Sequence, residues 1–445
     1  MEEQNSKKSY WHYMYFLLGQ QFSMLGSMIV GFVITWWMAD NVIYLSISVF
    51  LMFIPQIIVT PFSGVISDRW NKKIIIAISD SLQAAVTLFL FVLFMMDLQN
   101  IAFVLAINTF RAALFAFQLP AVQSLVPVMV PQKSLSRVNG INFLSSGVIY
   151  SMGPMIAAGL MAIFPQTEQI FLLDIITFFI AMVPLIIIKI PKITQTTEEN
   201  VKKSMFKDFK TGLLTIKMIP GLFAMIAFAM VWNFINRPWA VLLPNFISET
   251  HMGSAFSLAL IMTAGQVGNI VGSLITSIKK TWKHKIKINI IGGSIFFACQ
   301  IPAIFAPQGN FILIMISLFP AWMLFPITVS TYLAILQTVV SKDKIGRIMS
   351  IDHMISMAIT PIGALISGPL ALLLGIRTLF LIAAILGIIA PFIIWFFTKI
   401  RQLEVIEREI ILKEEEKVEQ LEEVTEPSEV VTESPEVIQV IEPVE

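Results

Sequence analysis

Five ionisable residues lie inside long apolar runs of the chain: Asp80, Arg111, Asp174, Arg237 and Asp352. At the middle of a membrane helix such a group costs about 2.5–3.5 kcal/mol on insertion scales, so each calls for a partner, a watered cavity or a role. The chemistry these types offer is charge pairing and proton carriage, because a carboxylate screened from water gains and sheds a proton as its surroundings change. Asp80 falls about 10 Å into its run at 1.5 Å per residue. That depth suits proton exchange, but the basic residues just before it are the expected partners. Arg111 belongs to a stripe of Asn108, Arg111, Phe115 and Gln118 at i, i+3, i+7 and i+10, one face of a helix. It could lock two helices through a carboxylate or act on that carboxylate's proton. Asp174 lies toward an end of its run, where it can reach water. Asp352, followed by His353, lies near the start of its run and can reach water or the second run.

Other polar residues cluster in the same way. Gln20, Ser23 and Ser27 share a face of the first run, and Trp322, Thr328 and Thr331 punctuate the tenth. Trp232, Asn233, Asn236 and Arg237 crowd the seventh and precede Pro238, whose missing N–H should bend a helix. Such faces turn toward protein or a water-filled cavity, not lipid. For any single Ser, Thr or Asn, helix–helix hydrogen bonding is the simpler explanation. His12, His251 and His284 show no metal-ligand spacing. The lone Cys299 excludes an internal disulfide or a cysteine cluster. No metal or cofactor is expected.

The elements that must position these residues follow from composition. The 445 residues are 56% hydrophobic and 13% charged, with a mean hydropathy of +0.81. Soluble domains are about 45–50% apolar and about 25% charged, so the expectation is an all-α membrane protein. Runs long enough to span a bilayer fall near 12–38, 43–67, 73–96, 100–128, 137–163 and 168–189. A second six fall near 218–246, 254–278, 286–305, 311–339, 347–373 and 376–398. Lys7 and Lys8 precede a first run too long for a signal-peptide core. No G-x-x-x-x-G-K-[ST] loop appears, so energy from bound ATP is not expected. Nothing points to nucleic acid.

Basic residues alternate between loops. Lys7, Lys8, Arg69, Lys72, Lys73, Lys133, Arg137, the linker lysines, Lys279–Lys287, Lys342, Lys344 and Arg347 fall on one side. Asp40, Asp97, Glu168 and Glu249 fall on the other, with Arg377 the exception. Positive loops stay inside, so both termini are expected in the cytoplasm of a bacterial cell. The organisation expected is an N-terminal segment (1–11), a six-helix half (12–189), a basic linker (190–217), a second half (218–399) and an acidic tail (400–445). The tail is expected to be disordered, except that its first twenty or so residues could extend the last helix. Residues 124–137 echo 334–347 at an offset of 210, the sign of parallel repeats with a ligand site between them.

The loop Gly64-Val-Ile-Ser-Asp68-Arg69-Trp-Asn-Lys72-Lys73 reads G-x-x-x-D-R-x-x-K-K between two apolar runs. It resembles the signature loop of the major facilitator superfamily, and its second-half counterpart after Gly272 lacks the Asp-Arg pair. Gly153-Pro154, with Gly147 and Gly159, resembles in part the fifth-helix element of facilitator antiporters. Phe110-Arg-Ala-Ala, Leu119-Pro-Ala-Val-Gln-Ser-Leu-Val-Pro127, Gly346-Arg347 and Pro361-Ile-Gly363 resemble the bacterial macrolide-efflux subgroup. Arg237, Asp352 and the acidic tail depart from that subgroup. The resemblance implies a twelve-helix secondary transporter, a monomer embedded in lipid, that exchanges protons for an amphiphilic, macrolide-like drug by alternating access. It associates Arg111 with proton coupling, with Asp80, Asp174 and Asp352 as further candidates, and the loop residues with latching one access state. It places helices 1, 4, 7 and 10 around a cavity, hence Gln20, Ser23, Asn108, Gln118, Trp232, Asn233, Asn236, Arg237 and Trp322. A siderophore or endogenous metabolite as cargo, or uptake instead of export, is the alternative. A membrane-embedded receptor or enzyme would need a catalytic cluster or an extramembrane domain, and neither is visible.

Overall fold

The computed structural model of the chain describes residues 2–164, 166–188, 205–279, 282–341 and 344–425. Twelve helical stretches among them are long and apolar enough to cross a membrane. The first half comprises α1 (Glu2–Trp37), α2 (Val42–Arg69), α3 (Lys72–Met95), α4 (Ile101–Met129), α5 (Leu135–Ile163) and α6 (Glu168–Ile187). Asparagines start many of these helices. Asn41, Asn71 and Asn100 accept backbone N–H groups of the first turns of α2, α3 and α4, satisfying donors that a helix leaves open.

The second half is more broken. A helix, α7 (Met205–Met218), occupies the end of the stretch that reads as polar linker, and the preceding linker residues lie outside the described part. The seventh span is α8 (Leu222–Ile235), α9 (Arg237–Asn245) and a π-helical turn (Phe246–Thr250). After α10 (Ala255–Ile278), the ninth span is α11 (Lys285–Ala298) and α12 (Ile301–Ile304). Beyond α13 (Phe311–Val339), the eleventh is α14 (Ile345–Ala358) and α15 (Thr360–Leu374), followed by α16 (Ile376–Phe397) and α17 (Ile400–Thr425). Each break in spans seven, nine and eleven has a proline in the first turn beyond it, Pro238, Pro302 or Pro361, where the ring removes a helical donor.

The repeat is legible in helix ends. Adding 210 to the bounds of α4, 101 and 129, gives those of α13, 311 and 339. The start of α5 at 135 likewise becomes that of α14 at 345.

Apolar packing joins the halves at one end only. One buried cluster contains Ile34, Leu45, Leu90 and Phe171 of the first half together with Trp239, Phe246, Ile304 and Phe380 of the second. Asn245 Nδ2 donates to the Ala39 carbonyl at 2.7 Å, and Thr263 Oγ1 to the Ser151 carbonyl at 3.1 Å, both across the seam. A methyl group on Gly368 of α15 would lie 2.6 Å from the Val42 carbonyl oxygen. At the opposite end, which carries the basic loops, each half keeps its own core. Tyr13, Phe16, Leu125 and Leu185 form one, and Ile216, Ile290, Leu336 and Leu403 form the other. No buried apolar cluster bridges the halves there among the described residues.

The first part of the tail is helical through residue 425, the extension allowed for its first twenty or so residues. After a break at Thr398, α17 docks on the basic end of the second half instead of dispersing. Ile400 and Leu403 are buried, Lys285 pairs with Glu407, and His284 pairs with Glu404. Gly221, at φ +87°, admits this docking: a side chain there would meet the Lys399 carbonyl at 2.5 Å. Residues 426–445 lie outside the described part.

Candidate functional site

Four helices of the first half, α1, α3, α4 and α6, converge on two carboxylates. Arg111 Nη2 donates to Asp174 Oδ2 at 3.3 Å, and the two side chains are only 10% and 5% exposed. Thr87 Oγ1 donates to the same oxygen at 2.7 Å, and Ser27 Oγ to Oδ1 at 3.0 Å. The expectation that Asp174, near a helix end, reaches water is not met: it is buried. Gly26 is what brings α1 this close to α6: a methyl group there would fall 2.1 Å from Thr177 Oγ1 and 2.9 Å from the Asp174 Cα.

Asp80 is also buried, with no cation paired to it among the described residues. Gln118 Nε2 donates to its Oδ1 at 2.6 Å and Gln20 Nε2 to its Oδ2 at 3.0 Å. Gln83 Nε2 supports Gln118 Oε1 at 2.8 Å. Of the neighbouring basic loop, neither Lys72 nor Lys73 pairs with Asp80. Lys73 Nζ turns instead to the last carbonyls of α6, Ile186 and Ile188, at 2.6 and 2.9 Å, where a cation meets the negative end of the helix. Lys72 is buried at the start of α3. The side chains of Gly64, Asp68 and Arg69 lie outside the described part, although α2 runs through these positions.

Asp80 and Thr87 are seven residues apart on α3, which sets the two carboxylate centres about 10 Å apart along that helix. One is ion-paired and the other is held by neutral amides. Along α4, Arg111 and Gln118 repeat the same spacing, one serving each centre. Asn108 and Ser23 are half-buried on α4 and α1 beside them.

The second-half candidates mostly find partners within their own half. Trp232 is wedged between Phe296 and Phe297, with centroids at 4.9 and 4.8 Å, instead of facing open space. Trp322 lies on Gly265, whose added methyl would sit 3.0 Å from its ring. Asn233 Nδ2 donates to the Ala229 and Ser356 carbonyls at 3.0 and 3.2 Å. Asn236 Oδ1 accepts from Gln300 Nε2 at 3.3 Å. Asp352 is buried, not water-facing, and accepts from Tyr332 and, at 3.3 Å, from Ser356. Arg237 alone reaches across the seam, its guanidinium 5.5 Å from the Phe53 ring centroid on α2. Of the glycines on α5, Gly153 packs against Met28, while Gly147 and Gly159 meet nothing within 4 Å. Among the described residues no three His, Cys, Asp or Glu side chains converge as a metal site would need.

Residues 16–358 match the family described as the Major Facilitator Superfamily. The chain belongs to that superfamily. It is accordingly a transporter and not an enzyme, a multi-pass protein of the bacterial plasma membrane. Macrolide efflux protein A of Streptococcus pyogenes is 23% identical over 394 residues, 87% of this chain and 96% of that one. The Staphyloferrin A transporter of Staphylococcus aureus is 23% identical over 415 residues, 90% of this chain and 98% of that one. Among solved structures, a D-xylose–proton symporter superposes with a TM-score of 0.66 at 11% identity, covering 87% of this chain and 97% of that one.

Within this facilitator fold, several partners escaped sequence reasoning. Gln83 and Thr87 lie at i+3 and i+7 from Asp80, a stripe as regular as that on α4, and the spacing alone could have found them. Ser356 stands at i+4 from Asp352 for the same reason. Tyr332 and Gly26 carry no comparable local signal, since their roles depend on which helices meet.

Proposed function

We propose that this facilitator exports an amphiphilic, macrolide-like solute by alternating access, in exchange for protons moving inward. The observation that carries the reading is the pair of buried carboxylates two turns apart, one balanced by Arg111 and one held, among the described residues, by neutral amides alone. Asp80 is the group that a proton neutralises with least disturbance. Once protonated it donates one hydrogen bond and still accepts another, and the carbonyl oxygens of Gln20 and Gln118 are acceptors within its own cluster. Asp174, by contrast, already has the Arg111 guanidinium as its partner.

The positive-inside bias of the loops supports a cytoplasmic location for the basic end and both termini. The halves, joined at the far end and separately cored at the basic end, then suit entry of solute from the cytoplasm. Both relatives have nearly their whole length covered at the same identity, one named for macrolide efflux and one for a siderophore. A siderophore or other metabolite is therefore the second reading of the cargo. One chain contains both halves and suffices as a monomer.

The test is uptake of macrolides, tetracyclines and cationic dyes into inverted membrane vesicles under an interior-acid pH gradient. Uptake that an uncoupler collapses is expected. Arg111→Ala and Asp80→Asn, present at equal amounts in the membrane, should each lose the gradient-driven component. Asp80→Asn should retain solute exchange without a gradient. Undiminished gradient-driven uptake in either variant removes that residue from coupling, and uptake indifferent to the gradient in the parent chain overturns proton exchange.

A further inference from the structure

Of the five ionisable residues deep within the spans, one is left unanswered among the described residues. Asp174 is matched by Arg111, Asp80 is held by Gln20 and Gln118, and Asp352 is held by Tyr332 and Ser356. Arg237 has no carboxylate within ion-pair distance and no hydrogen-bond acceptor among the described residues, and its Nε is sealed from solvent with its N–H unsatisfied. The Phe53 ring offers only a π-face, which meets the cation but accepts none of the five in-plane N–H groups.

Position sharpens the case. Arg237 lies fifteen residues from one end of the seventh span, Leu222–Thr250, and thirteen from the other. At 1.5 Å per residue it sits about 20 Å from either surface, too deep for a lipid headgroup to reach. It opens α9, just beyond the break at Asn236, and Pro238 follows it. The first turn of a helix favours negative charge. Its stem packs on Gly363 of α15, where an added methyl would lie 3.1 Å from its Cβ, so the absence of a side chain there leaves it room. Its head meets α2 of the other half. The neighbouring Trp232, Asn233 and Asn236 are all engaged inside their own half, so Arg237 is the free polar group on this face of the seventh span.

We infer that Arg237 is the anchoring point for an anionic group on the transported solute, and that the cargo is a carboxylate-bearing amphiphile. A carboxylate fits the planar fork with two parallel hydrogen bonds, while Phe53 and Phe234 line the adjoining apolar contact. Because the guanidinium spans the seam at mid-depth, a solute held there touches both halves and is positioned to follow their rearrangement. The inference rests on the export reading for the side from which solute arrives, and between that reading's two cargoes it selects the second, an acidic metabolite, over a basic macrolide.

The experiment measures binding without any gradient, which separates it from the vesicle test of proton exchange. Purified protein in nanodiscs of neutral lipid is titrated with pyrenebutyrate and with pyrenebutylamine, and empty nanodiscs serve as the blank. The parent chain should bind the carboxylate at least tenfold more tightly than the amine. Arg237→Gln should abolish that preference by weakening the carboxylate alone, and Arg237→Lys should retain part of it. In the unsubstituted protein, modification of Arg237 by 2,3-butanedione, followed by peptide mass, should be slowed by the carboxylate and not by the amine. This reading holds even if the glutamine variant does not assemble. Equal binding of the two probes, equal losses for both in Arg237→Gln, or no selective protection would each overturn the assignment.

Discussion

The Arg111–Asp174 pair makes an asymmetric prediction about stability. Asp174→Asn removes the only counter-charge that the described structure gives Arg111, leaving a guanidinium buried at 10% exposure with at most a neutral amide oxygen to accept from it. Breaking a buried pair in this way costs about 3–5 kcal/mol. Arg111→Gln leaves Asp174 still receiving the Ser27 and Thr87 hydroxyls, and a carboxylate so placed can take a proton instead of remaining charged. Its cost should be smaller, about 1–3 kcal/mol, the range for a buried polar group that loses a partner. The double variant, with neutral amides at both positions, should be more stable than Asp174→Asn alone, because no stranded charge remains. Cys299 provides the assay. It is the only cysteine in the chain and is half-buried in α11's final turn, so a thiol-reactive fluorophore reports unfolding in detergent as temperature or denaturant rises. Equal costs for the two single changes, or a double variant whose loss equals their sum, would refute the claim that these residues form one balanced unit.

Two further outcomes follow from packing and protonation. Gly272→Ala should be strongly destabilising, because its methyl would lie 2.0 Å from the Met323 carbonyl oxygen, whereas Gly147→Ala meets nothing within 4 Å and should be near neutral; equal thermal shifts would contradict the α10–α13 contact. His251, 1% exposed just beyond the seventh span, has its imidazole pushed below the usual range, first by burial and then by the charge of Arg377. The unfolded chain therefore binds the extra proton more readily, so this contribution to stability is present at neutral pH and is lost as pH falls below about 6.5. His251→Phe should flatten that acid dependence in detergent melting curves, and an unchanged slope would assign the acid sensitivity elsewhere.

What the sequence disclosed, and what it hid, divides along a physical line. Apolar run length and the 210-residue offset place the helices, because insertion into lipid is decided span by span and a repeat preserves span lengths. Helical stripes such as Asn108, Arg111 and Gln118 were legible for the same reason: spacing along one helix is local. Partner choice was not. Asp80 lies close in sequence to Lys73, yet the lysine is drawn to open carbonyls at the end of α6 and the carboxylate to glutamines on α1 and α4. The tryptophans and asparagines of the second half carry the composition of a cavity lining, but Gly293 and Gly265 leave room for Trp232 and Trp322 within the bundle.

The repeat itself shows where chemistry departed from architecture. Adding 210 carries Arg111 to Ala321, Asp174 to Ala384, Asp80 to Ile290 and Thr87 to Phe297, all buried and apolar. Subtracting it carries Arg237 to Ser27, a hydroxyl that in the first half donates to Asp174. The same scaffold therefore holds an ion-paired polar centre in one half, while in the other those four positions are apolar, Asp352 is held by Tyr332 and Ser356, and Arg237 is unanswered among the described residues. Halves with interchangeable interiors would give neither a proton nor a solute a preferred half. Here the helix bounds are kept and the buried charges are not, so a single substitution that restores symmetry, Arg237→Ser, should leave the fold intact while removing the carboxylate preference from binding.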